Sequence, residues 1–277
     1  MAVDLHLHST ASDGTLSPAE IIAKAHEINL TAIALTDHDS LAGIREALDA
    51  SIKLSLTFVP GLEMSSEYGD RDIHILGYFI DYTQPHLTET LAGLRVARVN
   101  RARTMVERLA GLGLEIDFAE VEQCAHGGAM GRPHVAQILV KHGLVTDISE
   151  AFARFIGRGG PAYASKHVLT TAQIIELIHR AGGVASLAHP GVSRVDEPLL
   201  RVLKDGGLDA VEVWHTDHTL EQTRYFKQLA FELDLMVTGG SDCHGFGKSR
   251  GFVLGSLGIP DEIIEPLRTR AGAYKVR

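Results

Sequence analysis

The chain has 277 residues, 45% of them apolar and 22% charged, with a formal net charge of −9. That length can bury a sizeable core, the composition excludes a disordered or fibrous class, and an acidic balance without a long basic stripe disfavours extended duplex nucleic acid as a partner. No run approaches the ~18 apolar residues that span a bilayer, the N-terminus has no leader pattern, and two distant cysteines, Cys124 and Cys243, offer neither a disulfide framework nor a zinc knot, so a reducing, cytoplasmic location is expected.

Short apolar, β-branched runs recur along the chain, each followed by turn residues and then by helical periodicity. Seven strands are expected, at Ala2–His8, Ala32–Thr36, Thr57–Met64, Asp72–Phe79, Gly183–Ala188, Ala210–Trp214 and Leu235–Gly239. The alternation is that of parallel strands joined by crossover helices, an α/β class. After the first strand, Ser17-Pro18-Ala19-Glu20 reads as a helix start with a capping box, and Ile21, Ile22, Ala25 and Ile28 as its buried stripe. Between the fourth and fifth strands the alternation stops. Residues 95–166 read as a mostly helical insertion, with loop-like stretches at Gly127-Gly128 and Gly157–Pro161, dividing the chain into a barrel of 1–94 and 167–277 and a cap of 95–166. The insertion carries ten Lys and Arg against seven Asp and Glu, opposite in sign to the rest, as suits a cap that brings cations to an anionic substrate.

Polar residues gather at the strands. His6 and His8 lie two apart on the first strand, so both imidazoles point to one side, and Asp4 joins them. The second strand ends in Thr36-Asp37-His38-Asp39, the third in Gly61-Leu62-Glu63, the fourth includes His74, and the last three end at His189-Pro190, His215 and Ser241-Asp242-Cys243-His244. In barrels, loops after the strands converge over one mouth, so a donor on every strand describes one site. Imidazoles and carboxylates without thiolates suit Zn, Mn or Fe, and the donors exceed what one ion uses. Two ions sharing a carboxylate such as Glu63 can hold a nucleophilic hydroxide, which is hydrolytic chemistry. Ser9, Ser12 and Cys243 lie nearby without an activating base distinct from the metal ligands, which disfavours a nucleophilic Ser or Cys.

At this point the sequence resembles the PHP family, named for polymerase and histidinol phosphatase domains. The resemblance is carried by Asp4-Leu-His-Leu-His-Ser9, Ser12-Asp13-Gly14, Leu35-Thr-Asp-His-Asp39, Pro60-Gly-Leu-Glu63, His74-Ile-Leu-Gly77, Leu187-Ala-His-Pro190 and Gly240-Ser-Asp-Cys-His244. Gly131-Arg-Pro-His-Val135, in the insertion, is similar to its TrpH-like branch. The resemblance implies a distorted (β/α)7 barrel with an inserted helical subdomain, and three divalent ions, manganese first with iron or zinc as alternatives. One ion would take His6, His8, Glu63 and Asp242, a second Glu63, His74 and His189, and a third Asp13, His38 and His244. Asp4 and Asp37 would orient imidazoles by hydrogen bonds. The branch implies removal of the 3′-phosphate from nucleoside 3′,5′-bisphosphates and trimming of short RNA from its 5′ end. Arg132, His134 and Lys166 are the expected substrate-binding residues, with His134 or His215 as the proton donor beside Glu63 and Asp242. Of Arg95, Arg98, Arg101 and Arg103, at least one is a candidate for substrate contact. The alternatives are another small phosphate ester such as histidinol phosphate, an amide hydrolase, or a metal-bound interaction module without catalysis.

Overall fold

The β-branched runs become strands and the amphipathic segments between them become covering helices in the computed structural model, which describes residues 2–69, 71–125, 130–165, 169–246 and 251–275. In chain order these are β1 (Ala2–Asp4), α1 (Pro18–Glu27), β2 (Leu30–Leu35), α2 (Ile44–Leu54), β3 (Thr57–Tyr68), β4 (Arg71–Tyr78) and α3 (Pro85–Gly111). Then follow α4 (Phe118–Cys124), α5 (Arg132–Lys141), α6 (Ile148–Ala151), which runs into a π turn at Phe152–Ile156, and α7 (Thr171–Arg180). The chain closes with β5 (Val184–Leu187), α8 (Glu197–Asp205), β6 (Ala210–His215), α9 (Leu220–Glu232), β7 (Met236–Gly240), β8 (Ile259–Pro260) and α10 (Ile264–Lys275).

The sheet runs β7-β6-β5-β4-β3-β2-β1-β8. Its ends also meet: the Leu5 amide donates to the Gly239 carbonyl at 3.1 Å and Leu7 bridges Cys243, which nearly closes a distorted barrel. Gly240 permits that approach, since a Cβ there would stand 2.2 Å from the Cβ of His6. All seven expected strands are present within a few residues of their expected bounds, while the short β8, antiparallel to β1, was not anticipated.

Parallel alternation breaks at one place. β3 and β4 form an antiparallel hairpin with Ser65 opposite His74, and β4 is antiparallel to β5 as well. The few residues between Tyr68 and Arg71 cannot make a crossover, which needs about a dozen or more. β4 therefore runs backwards, and its beginning rather than its end lies beside the end of β3. That is why His74 sits early in its strand.

Local signals match the chemistry at α1. The Glu20 amide donates to Ser17 Oγ at 3.3 Å and the Ser17 amide to Glu20 Oε2 at 2.8 Å, a closed capping box. Ile21, Ile22 and Ala25 are buried, but Ile28 is the C-cap and lies exposed, because the helix ends before the stripe comes round to it.

The insertion has its own core, of Met105, Leu109, Val121, Val135 and Leu139 among others. The expected boundary at residue 95 falls inside α3, a continuous helix of 27 residues. Leu87, Leu91 and Leu94 in its first half pack into the barrel core, whereas Ala102, Met105, Val106 and Leu109 pack into the insertion.

Just before β6, at the barrel end opposite the mouth, buried Asp209 accepts from Arg270 Nε (2.8 Å), the Tyr274 hydroxyl (2.8 Å) and the Ala185 amide (3.0 Å), and pairs with His179 Nε2 (2.7 Å). Burial alone would raise this carboxyl, but those bonds hold it below its usual range. A depressed carboxyl stabilises the fold above the unfolded-state pKa and loses that contribution as pH falls through the folded one. Arg270 is half exposed, so solvent screens that pair. Asp209→Asn is expected to cost about 2 kcal/mol at pH 7, a difference that shrinks below about pH 4. Denaturant melts of both proteins at the two pH values check it.

Candidate metal centre

Glu63, near the middle of β3 and buried, is the hub. Its Oε2 lies 3.3 Å from His6 Nε2, 3.2 Å from His8 Nε2 and 3.1 Å from His38 Nδ1. Its Oε1 lies 2.7 Å from His74 Nδ1 and 3.1 Å from His189 Nε2. Asp242 Oδ1 stands 3.4 Å from His6 Nε2, 3.1 Å from His8 Nε2 and 3.6 Å from His244 Nδ1, and Asp13 Oδ1 stands 3.4 Å from His244 Nε2. All nine residues expected as ligands thus converge. Among the described residues, four sets have their donor atoms mutually within 4.8 Å: His6, His8, Glu63 and Asp242; His8, Asp13, His38 and His244; His38, Glu63 and His74; and His6, Glu212 and His215.

Sharp turns at the strand ends aim these groups. Asp39, His189 and Asp242 adopt left-handed backbone, with φ of 47°, 28° and 53°. Side-chain-bearing residues visit that region at a cost of about 1 kcal/mol or more, and such strain concentrates where function fixes a side chain.

The electrostatics demand cations. Glu63 is buried and Asp13 and Asp242 are mostly so, which alone would raise their carboxyls, yet the surrounding imidazoles hold all three well below the ordinary range. His8, despite burial, is carried up to about 10 by Asp242 and Glu63, while burial pushes His38 down to about 3. Among the described residues, both ring nitrogens of His8 and Nδ1 of His38 are buried with no hydrogen-bond partner, although carboxylate oxygens lie 3.1–3.2 Å from His8 Nε2 and His38 Nδ1 and 4.0 Å from His8 Nδ1. Imidazole lone pairs aimed among ionised carboxylates without hydrogen-bond geometry fit divalent metal ligation.

Across from His38 and His74, the insertion forms the far wall of a cleft of about 160 Å³ lined by Arg98, Arg101, Arg132, His134 and Phe152. Arg98 donates from Nε to Asp39 Oδ2 at 2.8 Å, again from Nη2, and from Nη1 to the Met130 carbonyl at 3.3 Å. Arg101 donates to the Ala164 carbonyl at 2.9 Å, and burial followed by the neighbouring Arg132 lowers it to about 10. Arg132 lies over the Phe152 ring at 5.3 Å, 3.7 Å from Asp72. His134 Nδ1 accepts from the Gly131 amide at 3.0 Å, so the neutral ring carries its proton on Nε2. Arg103 instead lies over Phe118, 4.2 Å from the ring centre. Lys166, expected here, and the Gly127-Gly128 loop lie outside the described residues.

A family model described as the PHP domain matches residues 4–181. The chain belongs to the PHP family. It is 35% identical over 245 residues to a 5′-3′ exoribonuclease of Haemophilus influenzae, covering 87% of this chain and 89% of the relative. It is 34% identical to a 3′,5′-nucleoside bisphosphate phosphatase of Chromobacterium violaceum, covering 89% and 88%. A solved structure described as a metal-dependent phosphoesterase of Bifidobacterium adolescentis superposes with a TM-score of 0.88 at 33% identity, covering 97% and 96%.

Two features of this PHP site differ from expectation. Asp4 accepts from the backbone amides of Ser241 (2.8 Å) and Gly255 (2.9 Å), and Asp37 from the Ser9 amide and the hydroxyls of Ser9 and Ser12 at 2.6–2.7 Å; among the described residues neither bonds an imidazole. They hold the loops that carry the site. The carboxylate that does orient an imidazole is Glu212, 2.9 Å from His6 Nδ1 and accepting from the His189 amide at 2.7 Å. A carboxylate within Ala-Val-Glu-Val-Trp, flanked by apolar residues of a largely buried strand, was the readable signal. Glu212→Gln is expected to weaken divalent-ion affinity about 10–100-fold, measured by competition with a fluorescent chelator. His215 has Nδ1 accepting from the Asp217 amide at 3.1 Å and Nε2 3.4 Å from Asp242 Oδ2, so it sits behind Asp242 rather than facing the arginine cleft.

No helix of the described residues is long and apolar enough to cross a membrane.

Proposed function

We propose that this phosphoesterase removes the 3′-phosphate from nucleoside 3′,5′-bisphosphates at a centre of three divalent ions, manganese first among the candidates. The observation that carries the reading is the adjacency of two anion sites: a buried metal-ligand cluster and, sharing Asp13, His38 and His74 with it, a cleft walled by three arginines. A substrate with two phosphates fits that pair. The names of its relatives, a bisphosphate phosphatase and an exoribonuclease, support the same class.

His6, His8, Glu63 and Asp242 would hold one ion, Glu63, His74 and His189 a second, and Asp13, His38 and His244 a third. Bound there, such ions supply Lewis-acid polarisation of the phosphoryl oxygens and of an attacking water. Arg132, with Arg101 beside it, binds the 5′-phosphate. Arg98, committed to Asp39, fixes the turn that carries His38. His134 Nε2–H donates a hydrogen bond to the leaving 3′-oxygen, which takes its proton from water, a role that its place in the cleft supports. His215 acts through Asp242, holding its carboxylate in place. Glu212 locks the ring of His6.

The test is phosphate release from a panel of nucleoside 2′-, 3′-, 5′- and 3′,5′-phosphates and histidinol phosphate with Mn²⁺ supplied. Preference for the 3′,5′-bisphosphate is expected. Failure on every phosphate ester, or a preference for histidinol phosphate, sinks the reading.

A further inference from the structure

The hairpin of β3 and β4 carries charge beyond the metal ligands. Side chains alternate along a strand, so Glu63, Ser65 and Glu67 share one side of β3, and Asp72 and His74 share the matching side of β4. The register sets Ser65 opposite His74 and Glu67 opposite Asp72. Ser65 and His74 line the arginine cleft. The Glu67–Asp72 rung lies two residues further along the hairpin, roughly 7 Å farther from Glu63.

Two carboxylates directly opposite each other destabilise a sheet. The cap opposes them with cations: Arg158 Nη2 lies 3.2 Å from Glu67 Oε1, and Arg132 Nη2 lies 3.7 Å from Asp72 Oδ2. Both pairs are partly exposed, and solvent screening leaves such pairs little net stabilisation. Stability therefore does not account for a rung of like charge, and a local rule broken without compensation is characteristic of functional sites. The field of the rung reaches the phosphate-binding arginines. Burial and then Arg132 lower the Arg101 guanidinium, and Asp72 is among the groups that counter them.

A nucleoside 3′,5′-bisphosphate places one phosphate at the metal ligands and the other at Arg101 and Arg132. A further phosphate on the 5′ side must extend past Arg132, whose outer neighbour is Asp72, with Glu67 across the rung. There it competes with two carboxylates for Arg132 and Arg158 and is repelled by both.

We propose that the Glu67–Asp72 rung selects substrates with a single phosphate at the 5′ position and rejects a 5′-diphosphate. Glu67 and Asp72 set specificity and take no part in breaking the P–O3′ bond. The inference rests on the bisphosphate reading of the metal site.

The full chain is assayed with saturating Mn²⁺ on adenosine 3′,5′-bisphosphate, on adenosine 3′-phosphate 5′-diphosphate, and on adenosine 3′-phosphate 5′-(methyl phosphate), which adds bulk at the same place without added charge. Chromatography of the nucleoside product reads removal of the 3′-phosphate alone. In wild type, kcat/KM for the bisphosphate is expected to exceed that for the diphosphate about tenfold or more, with the methyl ester between them. The ratio of bisphosphate to diphosphate is expected to approach one in the double variant Glu67→Gln, Asp72→Asn, and to persist in Asp72→Glu, which keeps the charge. Each single neutral variant is expected to relax it about threefold, which keeps the test in hand if the double variant fails to fold. Wild type that accepts the diphosphate as readily as the bisphosphate overturns the inference alone. So does a ratio unmoved in the neutral variants, or a methyl ester rejected as strongly as the diphosphate, since that marks a steric wall. Wild type inactive on all three substrates overturns the parent reading, and this inference with it.

Discussion

Glu63→Gln is expected to lower phosphate release by about a thousandfold or more and to strip most of the bound divalent ion. Glutamine keeps the volume of the buried side chain, so the packing of β3 is undisturbed. What it loses is the charge that five imidazoles face, at 2.7–3.3 Å from one or other carboxylate oxygen. Each amide offers one acceptor oxygen where the carboxylate offered two, so His74 and His189 on one side and His6, His8 and His38 on the other can no longer be served together. Metal analysis of the purified variant beside its turnover checks both halves. Full activity with normal metal content would remove the shared-ligand arrangement.

The second large effect is on selectivity. Arg132→Ala is expected to raise KM for adenosine 3′,5′-bisphosphate about 10–100-fold, the worth of a charge-assisted forked contact to phosphate. KM for adenosine 3′-monophosphate should be nearly unchanged, because that substrate has nothing to place among the arginines. Arg132 is suited to the task because its protein carboxylate partner, Asp72, is distant at 3.7 Å and half exposed, while Phe152 supports the guanidinium plane. Arg132→Lys keeps the charge but not the fork, and an intermediate KM is expected. Initial-rate kinetics on the two substrates decide it, and equal losses on both would refute the assignment of a 5′-phosphate to this cleft.

The metal cluster was legible in the sequence because period-two geometry and the convergence of strand ends are local rules: His6 and His8 share a side, and His38, His189 and His244 follow their strands. Glu212 escaped because a single carboxylate in a strand carries no periodic signature; only its burial between apolar neighbours marks it. The reversal of β4 was written in the brevity of the Tyr68 to Arg71 turn, yet alternation elsewhere suggested uniform parallel strands. Asp4 and Asp37 were correctly read as supporting residues with the wrong partner, since sequence does not distinguish a loop amide from an imidazole. Arg98 and Arg103 are five residues apart on one helix, and only the three-dimensional phase of α3 separates the one facing Asp39 from the one over Phe118.

That phase has an evolutionary side. Because α3 is rooted in one core by Leu94 and enters the other by Ala102, a single residue gained or lost between them would turn everything beyond it by about 100° and shift it about 1.5 Å along the axis. Length variation among related chains should therefore be tolerated in the loops after Gly111 and before Thr171 but purged from the stretch between Leu94 and Ala102, where whole-turn changes alone keep the arginines over the metals.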